Sequence, residues 1–203
     1  MSVVFVHGWG FDAGIWDGVA AALPGVAQRR VELGFLGGVP SQNAFTAEDV
    51  LIGHSLGLLW GLSQFRDWQR VVAINAFARF AEGEGAAVST AALRAMRRSL
   101  TREPQKALEN FHRSLGHETV IGEFDAVRLA EGLAFLAEAA FAGPATVPCL
   151  VLAGDRDPLV PPAASAYLAT ALKAQIRWRE NGGHLLPLAD PAWCAAQIRA
   201  FLA

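Results

Sequence analysis

A glycine-framed serine sits between two apolar runs of unlike period. Val50–Ile52 is short, β-branched and apolar, which predicts a buried strand. Leu56–Phe65 is apolar all round, which predicts a buried helix. Between them, Gly53-His54-Ser55-Leu56-Gly57 matches G-x-S-x-G in the strand, turn and helix setting that the motif requires. So sharp a turn forces the serine backbone into strain, and side chains two positions to either side would clash. The serine hydroxyl is left exposed at the carboxyl end of a sheet. A chain built round such a turn needs a sheet with a helix packed against it.

The other elements agree. Val3–Val6 is an apolar run that stops at His7-Gly8-Trp9-Gly10, and it predicts a buried strand ending in a glycine-rich turn. Ile15–Leu23 has helical spacing and stops at Pro24-Gly25. Val31–Leu33 is a weaker strand signal and Val71–Ile74 a clear one. Cys149–Ala153 predicts a strand, Ala163–Leu172 a helix and Ile176–Trp178 a strand. Asp190-Pro191 opens a last helix, with Asp as N-cap and Pro in the first turn. Strands alternating with helices predict an α/β fold with a mostly parallel sheet of about six strands, buried on both faces. Residues 77–143 differ: they are rich in Ala, Leu, Arg and Glu, with helical periods and no strand signal. The expected organisation is a core of residues 1–76 and 144–203 with a helical cap, 77–143, inserted between strands.

Composition narrows the function classes. The 203 residues suit one domain with an inserted lobe, and 53% hydrophobic against 18% charged residues excludes a disordered chain. A net charge of −2 gives no basic footprint for nucleic acid. No apolar run is long enough to span a membrane, and the first residues have neither the basic lead nor the length of a secretory signal, so a cytoplasmic protein is expected. Cys149 and Cys194 lie in apolar stretches without a C-x-x-C or a nearby His, which predicts small buried residues rather than zinc ligands or a disulfide. No long apolar surface helix asks for a second copy, so a monomer is expected.

A nucleophilic serine needs a base, and the base needs a group to orient it. On a strand–turn–helix nucleophile the partners follow in the order Ser, Asp, His. Gly154-Asp155-Arg156-Asp157-Pro158 follows the strand Cys149–Ala153, and Gly182-Gly183-His184 follows the strand Ile176–Trp178. Both loops fall at carboxyl ends of strands, the edge that also carries Ser55. Position alone leaves Asp155 and Asp157 both open. His7 is expected to hold its turn by hydrogen bonds, His54 to point away from the serine, and His112 and His117 to belong to the insert.

The segments HGWG at 7–10, GHSLG at 53–57, GDRDPLVP at 154–161 and GGH at 182–184 span the chain in order, and together they resemble the α/β-hydrolase superfamily. The resemblance implies an α/β-hydrolase fold with Ser55 as nucleophile, His184 as base and Asp157 as acid. Asp157 is preferred because the family's acid stands four residues before a proline, here Pro161, which leaves Asp155 as a turn residue. It further implies an oxyanion hole made by the backbone N–H groups of Trp9 and Leu56. Trp9, Trp60, Phe77, Phe80, Phe111, Phe135 and Leu185 are candidates for an apolar acyl pocket, with plain core packing as the alternative for each. Neither a metal nor a cofactor is implied.

The insert is basic along one stretch. Arg94, Arg97, Arg98, Arg102, Lys106 and Arg113 stand against only Glu103 and Glu109, and Arg94, Arg98 and Arg102 share a helical face. That face is either ordinarily solvated or a dock for an acidic partner. HGWG, the cap segment MRRSLTREPQKALENFHRSLG and the following GLAFL are similar to the pimeloyl-[acyl-carrier protein] methyl ester carboxylesterases of biotin synthesis (BioH-type). This resemblance implies a serine carboxylesterase that removes a methyl group from a pimeloyl chain on acyl carrier protein. The acidic carrier would dock on Arg94, Arg97, Arg98 and Arg102. The sequence departs from that family between Leu33 and Val50, where the usual second helix is expected to shrink to a loop or a single turn. It also begins at the HGWG strand, without leading antiparallel strands. The alternatives are a general short-acyl carboxylesterase, a different reaction on the same triad, and a non-catalytic ligand-binding homologue.

Overall fold

The computed structural model describes residues 1–118, 122–141, 143 and 145–203. In chain order the elements are β1 (Ser2–Val6), a 3-10 turn (Ala13–Trp16) running into α1 (Asp17–Ala21), β2 (Gln28–Val31), β3 (Asp49–His54), α2 (Leu56–Gln64) and β4 (Arg70–Ile74). Then come β5 (Arg79–Ala81), β6 (Ala86–Val88), α3 (Thr90–Arg102), α4 (Pro104–Ser114) and α5 (Ala126–Glu138). The chain returns through β7 (Cys149–Gly154), α6 (Pro162–Leu172), β8 (Gln175–Arg179), α7 (Leu186–Ala189) and α8 (Pro191–Leu202).

Six strands form one parallel sheet in the order β2-β1-β3-β4-β7-β8. The apolar runs explain it: strands buried on both faces need no polar alternation. Alternate residues of β1 serve different cores. Val4 and Val6 join Leu51, Leu58, Leu133 and Leu168 on one face, and Val3 and Phe5 join Trp16, Ile52, Cys194 and Ile198 on the other. Cys149 and Cys194 are buried free thiols, and burial pushes them up to about 11 and about 12. The last helix starts as its sequence predicts, with the Asp190 carboxylate accepting from the Trp193 amide at 3.1 Å.

The structure corrects three expectations. The helix expected over Ile15–Leu23 is split, because the Asp12 side chain accepts from the Gly14 amide and starts a 3-10 turn at Ala13, and α1 ends by Ala21. The strand expected at Val31–Leu33 lies earlier, at Gln28–Val31; it is an edge strand whose polar residues mask its signal. The insert is not purely helical. Between β4 and β7 it begins with β5 and β6, a two-stranded sheet too short to show a period in sequence. The insert is closed at its neck, where the Phe141 amide donates to the Ala78 carbonyl at 2.6 Å.

The connection from β2 to β3 holds no helix, in line with the sequence. Glu32 organises its first half: its carboxylate accepts from the Ala13 and Gly34 amides at 2.9 and 2.7 Å, and its backbone N–H donates to the Ser41 hydroxyl at 2.9 Å. No helix among the described residues is long and apolar enough to cross a membrane.

Candidate active site

Strand β3 delivers Ser55 into the turn before α2. Its backbone takes φ 53 and ψ −122, a left-handed region that disfavours side chains. The flanking glycines are required for space. A Cβ on Gly57 would lie 2.2 Å from the Val6 carbonyl oxygen, and one on Gly53 would lie 2.5 Å from the Leu58 backbone. The HGWG turn closes in from β1, so that a Cβ on Gly8 would meet the Ser55 Cβ at 3.0 Å. Leu56 opens α2, so its N–H has no acceptor within the helix.

Two further strand ends bring the other groups. Asp157, after β7, is buried, whereas Asp155 is exposed. Asp157 Oδ2 accepts from His184 Nδ1 at 2.8 Å and from Asn75 Nδ2 at 2.8 Å. Its Oδ1 accepts from the Leu159 and Val160 amides at 2.8 and 2.9 Å. Burial pushes the Asp157 carboxyl upward, but the His184 charge and these hydrogen bonds outweigh it and hold the group below the usual carboxylate range. With Nδ1–H donating to Asp157, the other ring nitrogen, Nε2, is left free to act as the acceptor. The ring is 1% exposed and Ser55 6% exposed. A bond from Ser55 Oγ to His184 is not among the hydrogen bonds of the described residues.

Three of the remaining histidines hold backbone in place, and two of these do more than the sequence suggests. His7 donates from Nδ1 to the Gly8 carbonyl at 2.9 Å and accepts the Leu33 amide at Nε2 at 3.0 Å, which holds the HGWG turn. Behind it, burial pushes Glu32 up, yet the adjacent His7 ring and hydrogen bonds from the Ala13 and Gly34 amides bring it down to about 2. His54 donates from Nε2 to the His184 carbonyl at 3.0 Å, and so supports the loop that bears His184. Burial, with His184 next to it, lowers His54 to about 3, which keeps it neutral. His112, in the insert, donates from Nε2 to the Gly10 carbonyl at 2.6 Å and stacks on Phe11 at 4.5 Å. It fastens α4 to the HGWG turn, and burial holds its pKa down.

The pocket candidates separate into groups. Trp60 and Phe135 line a cavity of about 170 Å³ with Leu33, Phe35, Leu56 and Gly132, directly beside the serine turn. Trp9 and Phe111 are not in its lining: the Trp9 indole donates to the Leu129 carbonyl of α5 at 2.8 Å and meets Phe111 edge-on at 4.8 Å. Phe77 and Phe80 pack on each other at 5.2 Å inside the core, and Leu185 joins the core on the α8 face, so these three do not line that cavity. Apolar side chains near a strand end look alike in sequence whether they face ligand or core. A larger cavity of about 670 Å³ lies near the amino end of β4, between Leu62, Trp68, Val71 and Leu172, away from Ser55.

Arg94, Arg97, Arg98 and Arg102 are all exposed on α3, and none joins an ion pair among the described residues. No group of three or more His, Cys, Asp or Glu residues among the described residues could hold a metal ion. Sequence reasoning missed Asn75. Its only signal is a polar residue directly after the apolar run Val71–Ile74, at the edge that carries the other groups.

A model of the "Alpha/beta hydrolase family" matches residues 3–197, and the chain belongs to that family. Its fold is shared with a bromoperoxidase from Bacillus anthracis, at 18% identity and a TM-score of 0.80, covering 99% of this chain and 91% of that one. An esterase from Exiguobacterium antarcticum superposes with a TM-score of 0.80 at 14% identity, covering 100% of this chain and 91% of that one. A thermophilic esterase from Thermogutta terrifontis gives 0.74 at 20% identity, covering 100% and 89%. No curated protein matches the chain in sequence.

Proposed function

We propose that this protein is a serine carboxylesterase. The observation that carries the reading is the buried 2.8 Å bond from His184 to Asp157, formed at the sheet edge where Ser55 stands on its strained turn. The esterases among its structural relatives are consistent with it. His184 Nε2 takes the Ser55 proton as Oγ attacks the ester carbonyl, and Asp157 stabilises the imidazolium that forms. The N–H groups of Trp9 and Leu56 donate to the developing oxyanion. His184 returns the proton to the leaving alkoxide and the alcohol departs. Water, activated by the same base, then hydrolyses the acyl-enzyme. Ser55→Ala should lower kcat/KM on a short acyl ester at least about a thousandfold and abolish fluorophosphonate labelling while the fold persists. Labelling that survives the substitution would overturn the reading.

The finer reading is the methyl ester of a pimeloyl chain carried on acyl carrier protein. It is supported by the likeness of the cap sequence to carboxylesterases of that type and by the exposed arginines of α3, which join no ion pair among the described residues. An acidic carrier would be steered to that face, and steering weakens with salt. The test compares kcat/KM on methyl pimeloyl-acyl carrier protein and on a free methyl ester of similar length, at two ionic strengths. A salt-sensitive preference for the carrier-bound ester supports it. Equal, salt-insensitive rates would leave a general short-acyl carboxylesterase.

A further inference from the structure

Asn75 ends β4, between the strand that bears Ser55 and the strand that leads to Asp157. It is 1% exposed, and its backbone holds φ 46. Its neighbour Ile74 accepts the Ser55 amide at 3.1 Å, and its own amide donates to the Leu152 carbonyl of β7 at 2.9 Å. The side-chain Nδ2 donates to Asp157 Oδ2 at 2.8 Å and to the Gly183 carbonyl at 3.2 Å. Asn75 therefore touches the acid and the His184 loop directly, while its neighbour Ile74 holds the Ser55 turn. Asn75 leaves its buried Oδ1 without a hydrogen-bond partner among the described residues, a cost offset by the two bonds that its amide donates.

We propose that Asn75 is a positioning residue for the Asp157–His184 pair: its amide shares Asp157 Oδ2 with His184 and ties the His184 loop to the acid through Gly183. The proposal rests on the serine-esterase reading for its kinetic consequence, but not for its structural one. Because Asn75 and His184 donate to the same oxygen, the amide draws off part of the charge that would otherwise stabilise an imidazolium. Asn75 thus keeps His184 available as a base at lower pH. The other titratable groups facing the pair are His54, at the end of β3 with its ring 4.9 Å from that of His184, and His7 beyond it.

Asn75→Gly tests this without opposing the backbone, since glycine adopts that φ freely. The His184 ring is followed by nitrogen NMR titration, and the pH profile of kcat/KM is measured in parallel on a p-nitrophenyl ester. The expected result is a His184 midpoint raised by about half a pH unit or more, with the acid limb of activity moved the same way. kcat should fall about ten- to a hundredfold with KM little changed. Asn75→Asp, which sets a second carboxylate against Asp157, should raise the midpoint further. A midpoint and limb that stay in place in Asn75→Gly would overturn the proposal. If the midpoint moves but the wild-type protein hydrolyses no ester and takes up no fluorophosphonate, the positioning role stands and the esterase reading falls.

Discussion

His54 follows Gly53 in the serine motif, yet its ring serves the loop that bears His184. It is fully buried and held to about 3 by burial, against an ordinary value of 6.5. The unfolded chain therefore takes up this proton before the native protein does. The stability tied to His54 is complete above pH 6.5 and is lost as pH falls toward 3. His112, also lowered by burial, acts in the same direction. Urea unfolding between pH 7 and 4 should show stability falling by up to about 1.4 kcal/mol per pH unit for each such proton. His54→Gln, which keeps a donor but cannot titrate, should flatten that slope. Ser55 and His184 are legible in the sequence because the glycine-framed motif and chain order single them out, whereas Asp157 is separated from Asp155 only by the family resemblance. The roles of Asn75 and His54 are not legible there. Each acts through a contact between distant strand ends, and a polar residue after an apolar strand carries no spacing rule.

The glycines of the serine turn show how an element can depend on one missing atom. α2 lies so close to β1 that Gly57 nearly touches the Val6 carbonyl. Gly57→Ala should destabilise the protein by about 3 kcal/mol, because backbone must move to admit the methyl group. Gly183, which has open space around its Cβ position, should accept alanine within about 0.5 kcal/mol of wild type. Chemical denaturation of both variants checks the contrast. Elements in the middle of the sheet were readable since continuous apolar runs announce strands buried on both faces. The misread elements have physical reasons too. β2 is an edge strand with exposed arginines, the helix at Ile15 is broken by the Asp12 cap, and β5 and β6 have three residues each.

Across the whole molecule, the insert bears on the chemistry in two ways. α4 and α5 grip the HGWG turn through His112 and the Trp9 indole, so cap and turn form one mechanical unit. α3 presents its arginines on the outside. If an acidic carrier docks there as proposed, replacing Arg94 and Arg98 together by Glu cuts kcat/KM for a carrier-bound ester at least about tenfold at low salt and leaves a free methyl ester unaffected. Competition assays with both substrates read the difference directly. The global plan was legible from the alternation of elements, while the grip of the cap on the turn was not, because it depends on two side chains meeting backbone far away in sequence. The helix-free link between β2 and β3 has a consequence of its own. Val39 is among its most exposed side chains, and β1 is hydrogen-bonded to strands on both sides of the link. A protease that nicks the chain near Val39 would yield two pieces that remain associated. The smaller would carry Trp9 and the larger Ser55, Asp157 and His184, so the protein is a natural candidate for a split enzyme whose halves regain activity only when they meet.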